Sequence, residues 1–181
     1  MTTTTADSKR KERTFTRAEM VDFAKKKLLK SNSEIEFVGL KHNILTCKIN
    51  DKTFKVYISS SRDFEFMRKP PEHNPYRVSA WNKGSSNIFS SCDYYALLVK
   101  VDENTKYTTD SDEKIEGLFV SQNELNNWLS KKVNVPSGMI NFYVHYSQVP
   151  GEGRMSIKVV DDREDPYLSL DYLYELGWKI R

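Results

Sequence analysis

Residues 93–101 read Asp-Tyr-Tyr-Ala-Leu-Leu-Val-Lys-Val, the most apolar run in a chain of 181 residues. The run lacks the alternation of a strand with one face in water, and it is typical of a strand covered on both faces. We therefore predict that it is the central strand of a sheet flanked by helices.

Three shorter segments with strand chemistry precede this run, and a helix precedes them. The predicted strands are residues 34–40, 44–49 and 53–59. Thr16 and Glu19 have the spacing of a capping box and open a predicted helix over residues 16–30. Residues 63–89 are polar and rich in proline, arginine and aromatics, which predicts a long loop.

Downstream of the central run we predict four further elements. They are a short strand over 117–120, a helix over 121–132 with a capping box at Ser121 and Glu124, a hairpin of alternating strands within residues 140–159, and a closing helix stopped by Gly177 and pinned by Trp178. The predicted fold class is α/β (α+β), with one mixed central sheet flanked by helices.

Size and composition favour one domain. Hydrophobic residues make up 38% of the chain, enough for one sizeable core over residues 15–181, while residues 1–14 are Thr-rich and basic and are expected to be a disordered tail. Because no apolar stretch approaches the roughly 20 residues that cross a bilayer, we expect a cytoplasmic protein without a membrane partner.

Charge is unevenly distributed along the chain. Residues 1–90 carry 18 Lys and Arg against 10 Asp and Glu, whereas residues 91–181 carry 10 against 15. The basic half is a candidate electrostatic footprint for nucleic acid. Alternatively, Lys25, Lys26 and Lys27 lie on the solvated face of a helix, which would explain part of the excess.

The sequence lacks the residue patterns that several kinds of binding and catalysis require. Cys47 and Cys92 stand apart in apolar surroundings and are predicted to be buried free thiols, and the three histidines are too scattered for a metal site. There is no phosphate-binding Gly-rich loop and no nucleophile elbow. We expect no cofactor.

The order of elements resembles that of the restriction-endonuclease-like, or PD-(D/E)xK, superfamily, especially its small bacterial and phage members. The residues that carry the resemblance are 43–45 (Asn-Ile-Leu), 55–62 (Lys-Val-Tyr-Ile-Ser-Ser-Ser-Arg), 93–99 and the segment from Gly117 to Leu129. In active relatives an acid opens the second strand, and an acid or amide followed two positions later by a lysine lies on the third. These groups hold Mg²⁺ and orient the attacking water.

On this chain the resemblance assigns those three roles to Asn43, Tyr57 and Ser59. None of them can perform its role, because Asn43 is neutral, a phenol with a pKa of about 10 is protonated near pH 7, and Ser59 carries no charge. If the alignment is shifted by two residues, Asp51 or Lys55 could restore a metal site, and we call these two residues the rescue candidates. The resemblance therefore implies a degenerate site that binds no metal, with Mg²⁺ only if the shifted site holds.

The segment after the third strand mixes cations with aromatic residues and serines. This chemistry follows a phosphate backbone and stacks on bases, but protein interfaces are enriched in the same residues. The candidate binding residues for nucleic acid or a protein partner are Ser60, Arg62, Arg68, Lys69, Tyr76, Arg77, Trp81 and Lys83.

Three hypotheses about function remain open. The first is a catalytically degenerate nuclease-like module that binds DNA or a protein partner, in the phage-defence or counter-defence setting that the resemblance implies. The second is an active metal-dependent endonuclease with a migrated or partner-completed site. The third is a pure protein-interaction or inhibitor protein.

Overall fold

A computed structural model describes residues 16–61, 76–83, 91–100, 115–130, 140–148, 155–160 and 166–181. The helices are α1 (Arg17–Ser31), α2 (Gln122–Ser130) and α3 (Tyr172–Leu176). The strands are β1 (Glu36–Lys41), β2 (Ile44–Ile49), β3 (Lys52–Ser61), β4 (Tyr76–Lys83), β5 (Tyr94–Lys100), β6 (Ile115–Ser121), β7 (Ile140–Gln148), β8 (Met155–Val160) and β9 (Pro166–Ser169).

The first sheet has five strands in the order β1-β2-β3-β5-β6. Neighbouring strands are antiparallel except β3 and β5, which run parallel. The prediction of a mixed sheet with helices is thus confirmed at the level of an α+β fold. The doubly buried strand is also confirmed, because residues 94–99 of β5 are all buried. It is not the middle strand, since β3 lies at the centre.

Two tight turns make β1, β2 and β3 a continuous meander. His42 and Asn43 link β1 to β2 with φ of 54° and 74°, and Asn50, with φ of 51°, helps to link β2 to β3. Two consecutive residues with positive φ match the twist of antiparallel strands, and asparagine tolerates this conformation better than most residues. Asn43 therefore has a structural reason to be asparagine.

A second sheet of four antiparallel strands has the order β4-β7-β8-β9. The predicted hairpin is β7 and β8. The predicted loop over 63–89 is wrong for residues 76–83, which form β4 and pair with β7 along their whole length. The alternation of Tyr76, Val78 and Ala80 with polar residues carried the strand signal, but the prolines before it favoured a loop. Strand β9 was not predicted.

Helix α1 covers one face of the first sheet. Its capping box is confirmed, with the Glu19 amide donating to Thr16 Oγ1 at 3.2 Å and the Thr16 amide donating to Glu19 Oε2 at 2.8 Å. The buried side of the helix packs with the inward side chains of the sheet in a core of fifteen buried residues. That core contains a stack of rings in which Phe119 lies 5.0 Å from Tyr94 and 5.1 Å from Trp178.

The opposite face of the sheet is covered by α2 and α3. The capping box of α2 is confirmed, because the Ser121 amide donates to Glu124 Oε2 at 2.7 Å and the Glu124 amide donates to Ser121 Oγ at 3.3 Å. The core on this face comprises Cys92, Tyr95, Leu97, Val99, Leu118, Val120, Leu125, Trp128, Val144, Leu170 and Leu173. Val144 lies on β7, so the second sheet joins this core.

The segment after α3 forms hydrogen bonds with the end of α1, the start of β5 and the first turn of α2. Gly177 ends the helix at φ of 55°, a conformation that favours glycine. Asn32, the C-cap of α1, donates from Nδ2 to the Trp178 carbonyl at 2.8 Å and accepts from the Ile180 amide at 3.0 Å. The Arg181 amide donates to the Tyr94 hydroxyl at 2.8 Å, and its guanidinium forms an ion pair with Glu124.

Gly117 on β6 is needed because Trp178 lies directly over it. A Cβ built at this position would lie 2.6 Å from Leu98 Cδ2 and 3.0 Å from Trp178 Cζ2, both buried side chains.

We expect Gly117→Ala to lower the free energy of unfolding by about 1–3 kcal/mol through overpacking, measured by urea denaturation. Gly39→Ala is the matched control, because its Cβ would meet only Thr46, at 3.8 Å. Equal stability of the two variants would contradict this packing.

The ion pair of Glu124 makes stability depend on pH. Burial alone would raise the pKa of this carboxyl, but the hydrogen bonds from Arg181 and Ser121 and the Arg181 charge outweigh burial and lower it below 4.5. A lowered pKa in the folded state stabilises above the ordinary value and is lost as the pH falls through the folded value.

We therefore expect Glu124→Gln to lower the free energy of unfolding by roughly 1–2 kcal/mol at pH 7. The difference from the wild type should shrink as the pH falls below 4.5, the ordinary value for this group. Urea denaturation across pH 3–7 measures it, and Glu175→Gln on the exposed side of α3 is the control. A difference that does not change with pH would argue against the ion pair.

Candidate functional site

The candidate site lies on the middle strand, β3, whose side chains alternate between the two faces of the sheet. Val56 and Ile58 are fully buried in the core beneath α1. Tyr57, Ser59 and Ser61 therefore point to the opposite face, the α2 side. There Tyr57 packs against the core that contains α2 and α3.

Asn43 meets β3 through its backbone, opposite Ile58, the residue between Tyr57 and Ser59. The Ile58 amide donates to the Asn43 carbonyl at 2.7 Å, and Ile44, the next residue, pairs with Tyr57. Tyr57 and Ser59 are two apart on one strand and share a face. On the other side they pair with Tyr95 and Leu97 of the parallel strand β5.

The side chains at these three positions carry no charge at neutral pH. Burial, followed by the proximity of Cys92, raises the pKa of the Tyr57 phenol above its ordinary value of 10.0, so the hydroxyl stays protonated at neutral pH. Asn43 and Ser59 contribute no charge. Among the residues that the structure describes, no group of three or more His, Cys, Asp or Glu side chains could hold a metal ion.

The two rescue candidates lie in different places. Lys55 is exposed and shares the face of Tyr57, two residues away. Asp51 lies in the β2–β3 turn, beyond the Ile49–Lys52 pair, whereas Asn43 lies beyond the Ile44–Tyr57 pair at the other end of the hairpin. At about 3.4 Å per residue, roughly 17 Å of strand separates the two ends. One metal ion cannot bridge Asp51 and Asn43.

Asp93 is a carboxylate beside Lys55 that the sequence did not single out for the site. Its Oδ2 accepts from the Lys55 amide at 2.8 Å, and its own amide donates to the Lys55 carbonyl at 2.9 Å. These bonds extend the parallel pairing of β3 and β5 by one step. The acid directly before the buried run was the available signal, but its partner lies 38 positions away.

The three consecutive serines do not converge. Ser61 is buried on the α2 side at 9% exposure, whereas Ser60 is exposed on the opposite face. A single phosphate therefore cannot contact all three hydroxyls.

Of the remaining candidate binding residues, three lie outside the described residues and four are described by their backbone alone. Arg62, Arg68 and Lys69 are outside the described residues. The described backbone places the other four on β4 in the second sheet, without their side chains: Tyr76, Arg77, Trp81 and Lys83.

The two cysteines are buried free thiols, as predicted. Burial raises the pKa of Cys47 to about 12, partly offset by the Lys25 charge, and burial also raises the pKa of Cys92. They belong to the cores on opposite faces of the sheet. The intervening sheet keeps them from forming a disulfide with each other.

We expect both thiols to resist alkylation in the folded protein. The thiolate is the reactive species, and a thiol with a pKa of about 12 is deprotonated in about one molecule in ten thousand at pH 8. Mass spectrometry after iodoacetamide treatment should find no adduct in buffer and two in denaturant. Cys92→Ala then assigns each adduct. Rapid native labelling of Cys47 would show that α1 does not cover it.

Comparison with known proteins adds no relative. No protein-family model, curated protein or solved structure matches this chain. In the described ranges no helix is both long and apolar enough to cross a membrane.

Proposed function

We propose that this protein is a nuclease-like module that binds nucleic acid and does not cleave it. The single observation that carries the proposal is the neutral side chain at each of the three positions, Asn43, Tyr57 and Ser59, to which the resemblance assigns the metal ligands and the lysine. A cleavage site built on this plan needs two oxygen ligands for Mg²⁺ and a cation for the attacking water.

The order of elements supports the nuclease-like part of the proposal. One helix, a three-strand meander, a doubly buried strand and a short strand leading directly into a helix occur in the order that the resemblance implies, although β4 of the second sheet stands between the meander and the buried strand. The pairing of β3 with β5 is parallel. This brings the positions on the third strand directly beside the buried strand, and the second strand lies one strand further away.

The nucleic-acid part of the proposal rests on charge. The basic excess of the first half of the chain includes exposed lysines on the β1–β3 meander, next to the neutral site. A cationic surface beside a lost cleavage site is compatible with binding to phosphates without hydrolysis. A role in phage defence or counter-defence is the setting that we propose from the resemblance.

The proposal predicts binding without cleavage. With Mg²⁺ or Mn²⁺, the purified protein should leave single- and double-stranded DNA and RNA intact on denaturing gels, while retarding at least one of them on native gels at low salt. The expected reason is the absence of a carboxylate or lysine at positions 43, 57 and 59.

Two variants sharpen the outcome. Cleavage that disappears in Asp51→Ala or Lys55→Ala would show an active endonuclease with a migrated site and would overturn the proposal. Cleavage unchanged in both variants points to a contaminating nuclease, and repurification to constant specific activity resolves it. Intact substrates with no retardation of any nucleic acid would overturn the binding claim in favour of a protein-interaction role.

A further inference from the structure

Part of the α2-side face of β2 and β3 is not covered by any helix of the described residues. Its four outward positions there are Thr46, Lys48, Thr53 and Lys55, each exposed or half-buried, and all are lysine or threonine. The positions between them, Leu45, Cys47, Ile49, Phe54 and Val56, are apolar and are buried or half-buried beneath α1. The strands therefore present a cationic and hydroxyl-bearing face outward.

The register places a third lysine on this face. Lys48 pairs with Thr53, Thr46 pairs with Lys55, and Lys41 of β1 pairs with Ile44. Strands lie about 4.8 Å apart and two residues advance about 6.8 Å. The Cα atoms of Lys48 and Lys55 are then about 8 Å apart, with Lys41 roughly 12–14 Å from each. We call Lys41, Thr46, Lys48, Thr53 and Lys55 the lysine face.

Within the described residues, the lysine face carries three lysines and is bordered by two acids. None of its three lysines forms an ion pair with a carboxylate of the described chain. Glu36 of the outer strand β1 pairs with Lys48 and lies on the same face of the sheet. Asp93 borders the face, and its carboxylate accepts the Lys55 amide. The net charge of the face therefore favours an anion.

The shape of the face selects the kind of polyanion. The major groove of B-DNA, about 12 Å wide, admits a helix or a two-stranded ribbon. Three strands span about 10 Å between their outer axes before side chains are added, which is too broad for that groove. An extended single strand can lie across a flat sheet, with its phosphates against the lysines and its oxygens accepting from the threonine hydroxyls.

We propose that the lysine face binds the phosphodiester backbone of single-stranded nucleic acid. This inference rests on the proposed nucleic-acid function and names its surface and its ligand. The half-buried ring of Tyr57 borders the face next to Lys55 and Ile44.

The test measures the salt dependence of binding. Fluorescently labelled oligo-dT and oligo-U of equal length are titrated with full-length protein between 50 and 200 mM NaCl. Each phosphate contact to a single strand contributes a slope of about −0.7 in log K against log salt. The triple variant Lys41→Gln, Lys48→Gln, Lys55→Gln should reduce the magnitude of the slope by about 2 and weaken binding to both oligonucleotides.

A second triple variant removes the same charge elsewhere. Lys30→Gln, Lys52→Gln and Lys179→Gln change exposed lysines on α1, on the other face of β3 and after α3. Its slope should stay close to that of the wild type. Thermal melts of both variants check folding, since exposed substitutions change stability by only about 0.5 kcal/mol.

The outcomes separate the two proposals. Equal loss of affinity and slope in both triple variants would overturn the lysine face and leave nucleic-acid binding intact. Tighter binding of a duplex than of either single strand would overturn the single-strand ligand. A wild type that binds none of these nucleic acids would overturn the proposed function itself.

Discussion

The parallel pairing of β3 with β5 is the interaction on which the rest of the five-stranded sheet and its covering helices depend. Strand β5 is buried on both faces, so its backbone polar groups must bond to neighbours on both sides. β3 and β6 supply those bonds, and Asp93 extends the pairing at its start with both its carboxylate and its amide. Helix α1 then covers one face, and α2 and α3 cover the other.

The same pairing explains why a site can form beside β3. It holds Tyr57 against Tyr95 and leaves Asn43 at the turn next to them, so three positions far apart in the chain become neighbours. The side chains of Asn43, Tyr57 and Tyr95 at this junction are neutral at pH 7. The charge lies next to the junction, on the lysine face, which none of the described helices covers. The function that we propose therefore relies on electrostatic contact with a partner.

Local signals predicted the local elements. The capping boxes at Thr16 and Ser121, the apolar run of β5 and the stop at Gly177 each act within a few residues, and each was found in the structure. Strand β4 was missed because its partner is remote: Trp81 pairs with Phe142. A strand is stabilised by neighbours that its own sequence does not contain. The Asp93–Lys55 contact was missed for the same reason.

By itself, the sequence determined which chemistry this protein has. The neutral residues at positions 43, 57 and 59 and the uneven distribution of lysines are facts of composition and order. Only the tertiary structure decided which groups meet. Turn geometry and strand register place Lys41, Lys48 and Lys55 on one face, direct Ser60 away from Ser61, and put Asp51 at the opposite end of the hairpin from Asn43. A shift of one residue in register would turn each of these side chains to the other face of the sheet.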